Sequence, residues 1–136
     1  MIKFNSSRFG QLEVENDKVI RFPTGLVGLP GLNQYILIDH KDTPLKWLQA
    51  LDDPDIAFIV ASPMLIVENY SVELDDSVKK SLQIENDNDI VVLVIMRVDG
   101  EDVIANFHGP LVINARKKQG MQLVMDYSQK AYQKIG

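Results

Sequence analysis

Apolar and polar residues alternate at period two in several short stretches, which is the pattern of β-strands with one buried face. The alternation runs through residues 8–15 and, less cleanly, through residues 19–22. Further strands are predicted at residues 35–39, 45–51 and 56–61. Many short strands with frequent turns predict a mostly all-β fold, a compact antiparallel β-barrel or sandwich.

A hairpin is predicted where Asp99-Gly100 follows the apolar run of residues 90–96, because Asp-Gly between two strand patterns is a strong hairpin signal. With these two residues as the loop, Arg97 would face Asp102 across the hairpin as an opposite-charge pair. A second hairpin is predicted from the alternating stretches 111–116 and 121–126, joined by residues 117–120.

One short helix is predicted at residues 75–83, where Leu74, Val78 and Leu82 make a single apolar stripe. Asp75 or Asp76 can cap its start. The run 90–96 is apolar at every position, so both of its faces need cover. This helix is the nearest candidate for that cover, and a partner protein is the alternative.

Length and composition predict one globular domain. The chain has 136 residues, of which 46% are hydrophobic, 24% are charged and none is cysteine. Without cysteine there is neither a disulfide framework nor a thiolate zinc site. The start of the chain lacks the apolar core of a signal peptide, and no apolar run approaches the ~20 residues of a membrane-spanning helix. These features predict a cytoplasmic protein with no membrane partner.

The negative charge is concentrated in the middle of the chain. Residues 61–102 contain ten acidic and three basic side chains, whereas residues 103–136 contain one acidic and five basic. An acidic middle argues against direct nucleic-acid binding, which needs a basic face. It suits a basic protein partner, and the alternative is a solvated surface that keeps the chain soluble.

Signals for metal or phosphate chemistry are weak. The glycine spacing in residues 22–32 fits neither the dinucleotide fingerprint nor a P-loop. Residues 85–89 imitate the start of a calcium loop, but Ile90 and Met96 stand where glycine and glutamate are needed. The acidic residues 52–55 are typical of a turn. We therefore expect no cofactor and no metal.

Catalytic motifs are also lacking at the level of sequence. Neither His40 nor His108 has a second ligand at a recognisable metal spacing, and no serine lies in a nucleophile-elbow motif. We therefore expect no enzyme. The alternative is a small β-barrel that binds a metabolite or catalyses a reaction on an unknown substrate, and a deep pocket with converging polar groups would favour it.

Three segments, in order along the chain, resemble the flagellar assembly factor (FliW) family. The first is Phe9-Gly10 with Glu13, Phe22 and residues 25–31. The second is Trp47-Leu48-Gln49 with Asp53-Pro54 and Ala57-Phe58. The third is residues 105–107 with Pro110, residues 112–114, Gly120 and Gln122. The closing stretch, residues 125–128 with Tyr132, follows the family pattern only loosely. The resemblance implies a small β-barrel that binds flagellin and, in alternation, the RNA-binding carbon storage regulator, which represses flagellin translation.

The acidic middle offers candidate contact residues for such a partner. An acidic domain is attracted to the basic face of an RNA-binding protein and repels RNA phosphates. Tyrosine amid charged residues is a common anchor at interfaces. The candidates are Glu68, Asn69, Tyr70, Glu73, Asp75 and Asp76, with residues 85–89 as a second group.

Overall fold

The computed structural model describes residues 1–125 and 132–135 of the chain. These residues form one short helix, α1 (Asp76–Ser81), three 3-10 turns and a series of β-strands. The strands are β1 (Ile2–Ser6), β2 (Gly10–Val14), β3 (Ile20–Arg21), β4 (Gln34–Asp39), β5 (Lys46–Ala50), β6 (Ala57–Ala61), β7 (Ile90–Asp99), β8 (Asp102–Asn106), β9 (Leu111–Asn114), β10 (Gln119–Gln122) and β11 (Tyr132–Ile135). The predicted mostly all-β fold is confirmed as a closed barrel of seven strands.

The barrel closes because β7 pairs with β9 as well as with β6. The strand order around the wall is β3, β4, β5, β6, β7, β9 and β10, and β10 returns to β3 through a parallel pairing. Inward side chains fill the interior, led by Phe22, Tyr35 and Leu48, which are fully buried. The rings of Phe22 and Tyr35 meet edge to face, with centroids 5.4 Å apart.

A hairpin of β1 and β2 lies outside the barrel, and its first strand was missed by the sequence analysis. Val14 of this hairpin packs on Ile36, which points outward from β4, so the hairpin covers one outer face of the barrel. The buried Ser6 hydroxyl donates to the Gln49 side chain at 2.8 Å and joins the hairpin to β5.

The loop between β3 and β4 is the glycine-rich stretch, and its conformation explains the glycines. Gly25 and Gly28 have φ angles of 69° and 83°, which side chains with a Cβ rarely adopt. The side-chain amide of Asn33 donates to the backbone carbonyls of Phe22 and Pro30 across this loop. The predicted tight connection, with glycine supplying positive φ, is therefore confirmed.

The β7–β8 hairpin is present, but its predicted register is wrong. Asp99 pairs with Asp102, so the loop residues are Gly100 and Glu101. Gly100 has a φ of 65° and occupies the first loop position, as glycine does in type II′ turns. Arg97 consequently stands opposite Ile104 and only diagonally from Asp102.

The second hairpin is confirmed with shorter strands. The predicted alternation fails in β9, whose four residues Leu111–Asn114 are all buried. Strand β10 begins at Gln119, two residues before the predicted start, because the turn is closed by Lys118 at a φ of 55°. The predicted end of this strand, Asp126, lies outside the described residues.

The predicted helix is confirmed at Asp76–Ser81, with Asp75 as its N-cap. It ends before the predicted Gln83 because that residue has a φ of 55°, outside the helical region. The side-chain amide of Asn114 then donates to the free carbonyls of Leu82 at 2.8 Å and Gln83 at 3.2 Å. This buried asparagine fixes the end of the helix against β9.

The outer face of β7 has two different environments. Val94 is fully buried and packs with Ile66, Val67 and Tyr70, so residues 63–70 cover this part of the strand and the helix does not. The first residues of β7, by contrast, line an open groove. No helix among the described residues is long and apolar enough to cross a membrane.

Candidate functional site

An apolar groove runs along the outer face of the first half of β7. It is lined by Ile90 and Val92 of β7, by Met64, and by the segment of residues 71–74, which we call its wall. The groove has a volume of about 740 Å³. We call it the β7 groove. The sequence predicts that both faces of residues 90–96 need cover, and along this groove the described residues leave the outer face of the strand partly uncovered.

The wall at residues 71–74 resembles an unpaired β-strand. Ser71 and Glu73 are exposed whereas Val72 and Leu74 are half-buried, which is the period-two alternation of a strand. Among the described residues, none forms a backbone hydrogen bond with residues 71–74.

The start of this wall is held in place by Tyr70. Asn69 before it has a φ of 62°, a left-handed conformation that asparagine tolerates. The Tyr70 ring lies 5.7 Å from the Phe107 ring, centroid to centroid, in the cluster that covers Val94. Tyr70 also lines the groove. It therefore contributes to the fold as well as to the candidate surface.

Two of the six predicted contact residues line the β7 groove, and the other four are their neighbours in the chain. Tyr70 and Glu73 line it directly. Glu68 and Asn69 are exposed in the turn before Tyr70, and Asp75 and Asp76 are exposed at the start of α1. The structure thus places these residues along one continuous segment beside the groove.

Asp75 has a structural role within this segment. Its carboxylate accepts hydrogen bonds from the Ser77 hydroxyl at 2.6 Å and from the Val78 N–H at 3.0 Å. These bonds, with that of the Ser77 hydroxyl foremost, hold the pKa of Asp75 below its ordinary value. The other acidic residues of the segment are better suited to tests of binding.

The second acidic group, residues 85–89, is partly neutralised by basic side chains. Arg116 pairs with Glu85 at 2.8 Å and with Asp89 at 3.3 Å, and Lys79 lies 3.9 Å from Asp87. The Asn86 side chain accepts a bond from the Asn88 N–H and caps the 3-10 turn that follows. This group is a capped turn joined to the β9–β10 loop by ion pairs.

The residues that the sequence suggests for metal or acid–base chemistry form hydrogen bonds within the fold. The Asp52 carboxylate accepts the N–H groups of Asn33 and Gln34 at 2.8 and 3.0 Å. The Asp53 carboxylate accepts the Asp55 N–H at 2.9 Å, as expected of a turn residue. His40 accepts a hydrogen bond from the Trp47 indole at 3.0 Å. Within residues 1–125, no three histidine or carboxylate side chains come together to hold a metal ion.

Several residues of the sequence signature serve the fold. The buried Gln49 amide donates to the carbonyls of Ala50 at 2.9 Å and Ile56 at 3.0 Å and so holds the β5–β6 turn. The Gln122 side chain accepts from the Val27 N–H at 2.7 Å and donates to the Gly109 carbonyl at 3.0 Å. The sequence alone does not predict these hydrogen bonds. The signal in the sequence that could have indicated such bonds is a polar residue within an apolar strand pattern.

A second hollow of about 540 Å³ lies where β3 is too short to cover all of β4. Its apolar lining includes Leu37 and Ile113, and its charged residues are Glu13, Glu15, Lys18 and Lys118. Two acidic and two basic side chains favour no particular ligand charge. The β7 groove, with its acidic neighbours, is the more distinctive surface.

Comparisons with known proteins point to one family. The family model described as "FliW protein" matches residues 3–134. The chain is 38% identical over 125 residues to a flagellar assembly factor FliW of Alkaliphilus metalliredigens, covering 89% of this chain and 77% of that protein. It is 36% identical over 129 residues to the FliW of Thermoanaerobacter pseudethanolicus, covering 92% and 86%. A crystal structure of a flagellar assembly factor FliW superposes with a TM-score of 0.86 at 28% identity, covering 97% of this chain and 93% of that one.

Proposed function

The chain belongs to the FliW family of flagellar assembly factors, and on that premise we propose that it binds flagellin and, in alternation, the RNA-binding carbon storage regulator. By binding the regulator it would relieve the repression of flagellin translation. By binding flagellin it would release the regulator again. We also propose a cytoplasmic location, because the translation of flagellin, which the regulator represses, takes place there.

The observation that supports a protein-binding role most directly is the acidic segment beside the β7 groove. Glu68, Glu73 and Asp76 are exposed there and have no basic partner among the ion pairs of the described residues. A regulator that binds RNA must present a basic face. An acidic surface docked beside that face would attract the regulator and repel RNA phosphates.

The groove itself suits contact with a protein rather than catalysis. Interfaces between proteins combine an apolar centre with a polar or charged rim. The β7 groove combines apolar lining residues, such as Val72, Leu74 and Val92, with the charged Glu73. We therefore propose a function without a chemical step.

The metabolite-binding alternative has less support from the barrel. Phe22, Tyr35 and Leu48 are fully buried at its centre and occupy the space in which larger barrels hold a ligand. A protein-contact surface outside the barrel agrees better with this filled interior.

The proposal is tested with purified flagellin and purified carbon storage regulator from the same organism. Each is mixed with this protein, and size-exclusion chromatography is used to look for a soluble complex. We expect each partner to form a complex alone. If neither partner binds the folded protein, the proposed function is wrong.

A further inference from the structure

We infer that the β7 groove docks an extended, basic segment of the RNA-binding partner, which pairs with residues 71–74 as an added β-strand. This inference rests on the proposed function and goes further, because it names the surface, the partner that occupies it and the conformation in which that partner binds.

The apolar character of the groove indicates that something covers it. Met64 lines it with 63% of its surface exposed, and its neighbour Leu65 is 54% exposed. Ile90 and Val92 add apolar floor from a strand whose next outward residue, Val94, is fully buried. An exposed apolar patch continuous with the core is typical of a site where another chain packs.

The wall at residues 71–74 indicates the conformation of the occupant. Its side chains alternate between exposed and half-buried, and its backbone has no hydrogen-bond partner among the described residues. An extended segment laid along it could pair with these N–H and C=O groups, as in recognition by strand addition. Every second side chain of that segment would then enter the groove beside Val72 and Leu74.

The charge around the wall indicates the chemistry of the occupant. Glu73 projects from the wall, and Glu68 and Asp76 lie just before and just after it in the chain. Lys79 also lines the groove, but it lies 3.9 Å from the carboxylate of Asp87. Side chains that point away from the groove in an added strand would meet this acidic rim, so lysine and arginine suit those positions. Of the two proposed partners, the RNA-binding one must carry such a basic surface.

The first test compares two double variants that each replace two apolar side chains with serine. Met64→Ser/Val72→Ser alters the groove, whereas Val98→Ser/Val124→Ser alters side chains that are 68% and 82% exposed and do not line it. Titration calorimetry measures the affinity of both for the regulator and for flagellin. We expect the groove variant to bind the regulator roughly tenfold more weakly or worse, with flagellin affinity unchanged. The control variant should bind both partners normally.

The second test addresses conformation by amide hydrogen exchange. In the complex with the regulator, amides within residues 71–74 should exchange at least about tenfold more slowly than in the free protein. An occupant that binds as a helix would bury the groove side chains without protecting these amides. That result would overturn the strand-addition claim.

The outcomes separate this inference from the proposed function. If the wild-type protein binds the regulator and the groove variant binds it equally well, the inference is wrong while the proposed function stands. If the groove variant loses flagellin and keeps the regulator, the assignment of the occupant is wrong. If the wild-type protein binds neither partner, both fail.

Discussion

The ring of Tyr70 lies against the ring of Phe107, with their centroids 5.7 Å apart. This contact belongs to the cluster that covers Val94 on the outer face of the barrel. Truncation of Tyr70 would therefore disturb the fold and the candidate binding surface together. Tests of binding are cleaner at Glu68 and Glu73, which are exposed and lie outside regular secondary structure.

The first prediction concerns charge. Glu68→Lys/Glu73→Lys should slow association with the regulator by roughly tenfold at low salt, because long-range attraction raises the rate of encounter. For the wild-type protein, raising the ionic strength should slow association far more than it speeds dissociation. Stopped-flow measurements over a range of salt concentrations check both statements.

The matched control for this charge reversal is Asp42→Lys/Glu101→Lys. Both of these acidic residues are exposed in turns and are absent from the β7 groove. The control makes the same change in net charge. If it slows association as much as the test variant does, net charge rather than the acidic segment controls the encounter.

The second prediction concerns the buried amide of Asn114. Its nitrogen donates to Leu82 and Gln83, and its oxygen accepts the N–H groups of Arg116 and Lys117, both at 3.1 Å. Asn114→Ala leaves these groups without their partner, so the free energy of unfolding should fall by about 3 kcal/mol. Urea denaturation measures the loss. Asn5→Ala, at an exposed position of β1, should change stability by less than about 0.5 kcal/mol, and an equal effect of the two changes would contradict the assignment.

The third prediction distinguishes two reasons why a position requires glycine, namely a positive φ angle and a lack of space for a Cβ atom. Gly28 has a positive φ with open space around it, so Gly28→Ala should cost only the left-handed conformation, about 1 kcal/mol. A Cβ on Gly25 would lie 2.4 Å from the Leu29 carbonyl oxygen and 2.6 Å from the Pro30 Cα. Gly25→Ala should therefore lower the melting temperature clearly more than Gly28→Ala does. Equal losses would show that the loop moves to relieve the clash.

The fourth prediction concerns the Tyr35 hydroxyl in the core. Burial, with a smaller contribution from Asp52, raises the pKa of Tyr35 from 10.0 to about 12. The folded state therefore favours the neutral phenol, and the stability this contributes is present below pH 10 and is lost as the pH rises towards 12. No described residue forms a hydrogen bond with this hydroxyl, so Tyr35→Phe should change stability at pH 7 by less than about 1 kcal/mol.

Measurements of the free energy of unfolding at alkaline pH check this prediction. Between pH 10 and pH 12 the free energy of unfolding should fall less steeply for Tyr35→Phe than for the wild-type protein. Parallel curves for the two proteins would mean that Tyr35 ionises equally easily in the folded and unfolded states. A large loss at pH 7 would show instead that the hydroxyl has a partner that stabilises it.

The sequence predicted much of this fold because strand alternation and turn residues are local signals. The helix cap at Asp75, the turn in which Asp53 accepts the Asp55 N–H, and the hairpins all depend on neighbours close along the chain. The predicted hairpin register was wrong because glycine suits either the first or the second position of a two-residue loop, and a shift of the loop by one residue moves every opposing pair. Alternation failed in Leu111–Asn114 because the rest of the fold covers both faces of that strand.

The candidate site was predicted only in part. The acidic segment and Tyr70 were visible in the sequence, since charge and residue type can be read directly. The groove could not be predicted, because it depends on how residues 62–74 pack across β7. The structural roles of Gln49 and Asn114 likewise depend on partners 43 and 32 positions away.

The central claim of partner exchange is tested most directly by following the RNA. Fluorescence anisotropy of a labelled flagellin leader RNA bound to the regulator is measured while this protein, and then flagellin, is added. The proposed function predicts that this protein lowers the anisotropy by releasing RNA and that flagellin restores it. An unchanged signal on adding this protein, or a failure of flagellin to reverse the release, would contradict the account.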